Sequence, residues 1–130
     1  MTSNAGNTLA DRIDKIEGAY EFMLAYAAQG RDQDEGPGAM SGIRFHLDAL
    51  ATGLSGLAED CRVVAAHESA TFDPFIDLLA TDSHKALVAV RLVAAQKSIS
   101  SQLIDNLNAS IHLRALLTDL FLMDEALKYA

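Results

Sequence analysis

The chain has 130 residues, 50% hydrophobic and 22% charged, which suits one folded domain and excludes a disordered tail. Ten basic residues against eighteen acidic ones give a formal net charge of −8. The basic residues are scattered singly, so no patch is expected to hold nucleic-acid phosphates. No run of about 18 apolar residues occurs, and the opening stretch MTSNAGNTLADRIDK lacks a basic start and an apolar core. Neither a membrane span nor a secretory signal is therefore expected. A single cysteine, Cys61, excludes an internal disulfide and a Cys-cluster metal site. The expectation is an acidic, cytoplasmic domain.

Strand signals are missing, and the composition favours helix. Residues 1–7 are small and polar and are expected to be loose, leaving 8–130 as one helical domain. The first helix should start near Thr8, capped by Asn7 or Thr8. Leu9, Ile13, Ile16, Tyr20, Met23 and Ala27 form its apolar stripe. Gly30 stands where a helix-ending glycine belongs, and Gly30–Gly38 reads as a loop.

The second helix has the most regular pattern. Met40, Ile43, Leu47, Leu50, Leu54, Leu57, Cys61 and Val64 alternate steps of three and four, a 3.5-residue repeat that packs in coiled-coil fashion. Beside it run Gly42, Ala49, Gly53 and Gly56. Glycine inside a helix costs about 0.5–1 kcal/mol relative to alanine. Close approach of another helix, from this chain or a second copy, would offset that cost. The competing reading is an irregular helix near Gly53–Gly56.

Asp73 and Pro74 are expected to cap and begin the third helical region. Thr81-Asp82-Ser83 is a second cap signal, so this region is read as one helix or as a short one followed by a long one. A single helix from Ser83 to Ala130 would be about 70 Å long, too long for this domain, so a turn is expected at Ser98–Ser101. Leu113, Leu116, Leu120, Met123 and Leu127 form the last stripe. Within it, Leu120-Phe121-Leu122-Met123 is apolar all round, which calls for cover by a partner subunit or by the first helix. The expected fold is all-α, an antiparallel four-helix bundle.

Chemical motifs are sparse. The histidines are His46, His67, His84 and His112. None has a carboxylate three residues earlier, so the Glu-x-x-His of a di-iron bundle is missing. The residues following His46, His67 and His112 do not match phosphoacceptor patterns. Cys61 lies on the apolar row and reads as a buried small residue. Glu17 and Glu21 stand at i, i+4 and read as exposed acids. Asp105, Asn106, Asn108, Ser110 and His112 form a polar patch, and extending the Leu113–Leu120–Leu127 row backwards reaches Asn106.

The functional expectation is non-enzymatic: a protein-protein interaction module or accessory subunit that binds a protein partner or pairs as a homodimer. Its expected surface is Gly42, Ala49, Gly53 and Gly56 with Leu120, Phe121, Leu122 and Met123. No cofactor, metal, nucleic acid or membrane is expected. The alternative is a ligand- or metal-binding bundle using His46, Asn106, Asn108 and His112.

Overall fold

A computed structural model of the chain describes residues 2–36 and 42–128, with side chains from residue 8 onward. It is all-helical, with no strand among the described residues. Six helices pack together: α1 (Thr2–Ala27), α2 (Ile43–Ser55), α3 (Leu57–Val64), α4 (Ser69–Ala94), α5 (Ser101–Ala109) and α6 (Ile111–Leu127), with a short 3-10 turn at Ala66–Glu68. The two longest, α1 and α4, organise the rest. α1 packs on α2, α3 and α5, and α4 packs on α2, α3, α5 and α6.

The apolar rows enter the core as their spacing requires. Leu9, Ile13, Ile16 and Met23 of α1 are buried, joined by Ala19 and Tyr26. Ile43, Leu47, Leu50, Leu54, Leu57 and Cys61 are buried in one line across α2 and α3, while Met40 lies outside the described residues. Leu113, Leu116, Leu120 and Met123 are buried on α6. The turn at the serines is present: Ser100 is the N-cap of α5, its Oγ accepting from the Leu103 N–H at 3.0 Å. Gly30 adopts φ +67° just beyond α1, the left-handed geometry expected of a helix-ending glycine.

Several boundaries differ from the expectation. α1 starts at Thr2, with Asn7 and Thr8 inside it rather than capping it; no proline in residues 2–7 interrupts the helix. The third region is one continuous helix that begins at Ser69, not at Asp73, and carries Pro74 inside. Pro74 removes one early hydrogen bond, to the Ala70 carbonyl, and both residues are exposed to water that can replace it. Thr81-Asp82-Ser83 caps nothing: Ser83 is buried within α4. The second and last helices are each divided, at Gly56 and at Ser110, so six α-helices stand where four were expected. At Ser110 the backbone turns extended (φ −59°, ψ 132°) and its side chain accepts from the His112 N–H.

Candidate functional site

The small-residue face is covered from within the chain at Gly53 and Gly56. A Cβ on Gly53 would lie 2.7 Å from Ile16 Cγ1, and one on Gly56 would lie 2.6 Å from Arg12 Nη2. Arg12 uses that space to bridge two helices. Its Nε donates to Asp60 Oδ2 on α3 at 2.6 Å, and its Nη1 donates to the Thr52 and Gly53 carbonyls at 3.0 Å. These carbonyls near the end of α2 lack onward helical partners, so a cation is well placed there. Gly42, with φ +93°, is the N-cap of α2, and Ala49 is half-buried. The close approach expected of this face is thus an intrachain contact with α1 at Gly53 and Gly56.

The run at the end of α6 divides by helical geometry. Leu120 and Met123 enter the core, whereas Phe121 and Leu122 remain 49% and 58% exposed. Leu122 and Met123 line an open apolar cavity of about 370 Å³ on the seam between α4 and α6, with Thr71, Phe72, Phe75 and Ala126. Leu78, three residues beyond Phe75 on α4, is also exposed.

Farther along the same seam lies a carboxyl pair that the sequence reading did not single out. Asp119 of α6 is only 7% exposed, and its Oδ2 is buried without a hydrogen-bond partner among the described residues. Burial first, then a hydrogen bond shared with Asp82 of α4 and the charge of Asp82, raise the Asp119 pKa to about 7. No ion pair among the described residues involves either acid. The signal available in the sequence was a lone acid inside the apolar run Leu116–Met123.

The four candidate ligand residues do not share one interior site. His46 is half-buried on α2, packed edge-on against Phe22 of α1 with ring centroids 3.8 Å apart. Both its ring nitrogens are buried without a partner among the described residues, and burial lowers its pKa. Asn108 is buried on α5 and donates to the Met23 carbonyl at 3.2 Å. Asn106 and His112 are exposed. Asn106 leaves the Leu113–Leu120–Leu127 row because the chain turns at Ser110, which breaks the register between α5 and α6.

A polar knot at the opposite end of α4 is structural. Asp34, its side chain 4% exposed, faces Arg44 with Oδ2 to Nε at 2.6 Å. Arg44 also donates to the carbonyls of Ala94, Gln96 and Lys97, and Asp34 accepts from the Ile99 and Gly36 N–H groups. Burial alone would raise the Asp34 carboxyl, but the hydrogen bonds from Arg44, Ile99 and Gly36 outweigh it and hold the pKa at about 2. Beside it, Tyr26 donates to the Ile99 carbonyl at 2.6 Å and Ser101 to the Tyr26 carbonyl at 2.7 Å. This knot closes the loop after α1 onto the turn between α4 and α5.

Among the remaining titratable groups, Glu17 is half-buried and Glu21 exposed. Burial, then Asp124, Asp14 and Glu21, raise the Glu17 pKa. Cys61 is fully buried, and that burial pushes its thiol up to about 12, away from nucleophilic chemistry. No group of three or more His, Cys, Asp or Glu side chains among the described residues is arranged to hold a metal ion. No helix among them is long and apolar enough to cross a membrane. No family model matches the chain, and neither a curated protein nor a solved structure is significantly similar to it.

Proposed function

We propose that the chain is a non-enzymatic helical interaction module or accessory subunit, with its partner seated on the seam between α4 and α6. The observation that carries this reading is the open apolar cavity bounded by Phe75 and Leu122, next to the exposed Leu78. Exposed apolar side chains gathered around a concave site are suited to take the apolar side chains of a partner. The interaction surface proposed from the sequence thereby contracts. Gly53 and Gly56 serve the fold, Leu120 and Met123 chiefly the core, and Leu122 the partner. Taken as arms, α2 with α3 and α5 with α6 would restore an antiparallel four-helix bundle in one cytoplasmic domain. Its seam would then be a groove between two adjacent arms. The test is to isolate the tagged chain from its own host under mild conditions and identify what accompanies it, beside the Leu122→Glu variant. A stoichiometric protein lost from the variant supports the reading; a partner retained by the variant refutes this surface.

A second reading, a small-ligand site at α1 and α2, draws on His46. Its ring nitrogens have no partner among the described residues, and it lines an open cavity of about 400 Å³ with Lys15, Phe45 and Ala49. Under this reading His46→Gln abolishes ligand binding without disturbing partner association.

A further inference from the structure

The proposed docking seam is not apolar throughout, and its polar part narrows the kind of partner. On α6, Asp119, Leu122 and Ala126 follow at i, i+3 and i+7, so they share one face. On α4, Phe75, Leu78 and Asp82 have the same spacing. Two matched strips therefore meet along the seam, each apolar at one end and acidic at the other. Phe75, Leu122 and Ala126 line the cavity, with Leu78 exposed beyond it. The acidic ends meet as the Asp82–Asp119 pair. A buried carboxyl oxygen without a donor is costly, and a second carboxyl beside it adds repulsion that a cation would relieve. No ion pair among the described residues supplies one: those pairs engage Asp34, Asp60, Asp73, Asp77 and Glu125. Asp82 is half-exposed, so a cation arriving from outside meets the pair through it.

We infer that the partner presents an amphipathic helix whose apolar side chains fill the Phe75–Leu122 cavity and whose Lys or Arg, about one turn along, pairs with Asp82 and Asp119. This rests on the docking reading above and adds the chemistry of the occupant. A helix suits an elongated seam between two helices, where apolar anchors recur at i, i+3, i+4 and i+7. The chain's net charge of −8 favours the approach of such a basic segment. It disfavours a second copy of this chain, which would bring the same acids to the same seam.

Two labelled amphipathic peptides of about 18 residues, identical except that Lys in one is replaced by Gln in the other, test the inference. Binding to the full chain is read by fluorescence anisotropy near neutral pH. The Lys peptide is expected to bind about tenfold more tightly than the Gln peptide. Asp82→Asn should remove that advantage, whereas Glu59→Gln, which removes one charge from an exposed site on α3, should leave most of it. Equal binding of the two peptides, or equal losses in Asp82→Asn and Glu59→Gln, would overturn the cationic partner. If the Gln peptide still binds and Leu122→Ser releases it, the docking reading survives alone. If neither peptide binds, both readings fall. Sedimentation of the chain by itself provides a further arm: a dimer dissolved by Leu122→Ser would make a second copy the occupant and overturn the inference.

Discussion

Gly56 stands where an added Cβ would come within 2.6 Å of Arg12 Nη2, and that single relationship explains why one apolar row is carried by two helices. The row from Ile43 to Cys61 keeps its 3.5-residue period. The helix beneath it is interrupted so that the Arg12 guanidinium can reach two carbonyls of α2 and the Asp60 carboxylate of α3.

Substitutions on this face should therefore affect stability rather than assembly. Gly53→Ala forces a methyl against the buried, β-branched Ile16 and should cost about 1–3 kcal/mol. Gly56→Ala displaces the far end of a flexible side chain and should cost about 1 kcal/mol. Because the two act on one contact, the costs of Gly56→Ala and Arg12→Ala should not add. Urea unfolding of the single and double variants measures this, and sedimentation should show the same assembly state in all of them.

Asp34 should give the fold a defined acid limit. Its folded pKa, about 2, lies below the ordinary carboxylate value of 3.8. The stabilisation is thus fully present above pH 4 and is lost as pH falls towards 2, by about 2 kcal/mol. Asp34→Asn should remove most of this acid dependence. It should also lower stability at neutral pH, because Arg44 is left partly buried without its counter-charge. Thermal unfolding midpoints of both proteins across the acid range test this.

Asp119 should act in the opposite sense. Its folded pKa is raised, so its protonated form favours the folded state. That contribution is fully present below the unfolded carboxylate value and declines as pH rises through neutrality. Asp119→Asn should leave stability near pH 4 little changed and raise it near pH 8 by about 1–3 kcal/mol, by removing a buried carboxylate with no partner. A variant less stable than the parent at pH 8 would show that the ionised carboxylate is compensated.

Periodicity and composition made the helices and the rows of the core legible, because burial of an amphipathic stripe is a local pattern. The turn at Ser98–Ser101 followed from a length argument, and Ser100 does cap α5. The division at Gly56 was legible only as the competing reading of an irregular helix near Gly53–Gly56, and its partner Arg12 lies over 40 residues away in sequence. Asp73-Pro74 misled because a proline early in an exposed turn is tolerated within α4. Asp34 resembles its neighbours Asp32 and Glu35 in sequence, and only the fold sets it against Arg44. At the candidate site, Leu122 was picked out by the all-round apolar run. The extension of the seam to Phe75, Asp82 and Asp119 required the pairing of α4 with α6, which no spacing within either helix specifies.

The α4–α6 seam is the proposed binding surface. The most direct measurement is the dissociation constant of the purified complex with the copurifying partner, for the parent chain, Leu122→Glu and Leu92→Glu. Leu92 is a somewhat more accessible leucine on α4 that does not line the cavity. Leu122→Glu is expected to weaken the complex about a hundredfold, with Leu92→Glu close to the parent. Equal affinities for all three, or a larger loss at Leu92, would contradict the account.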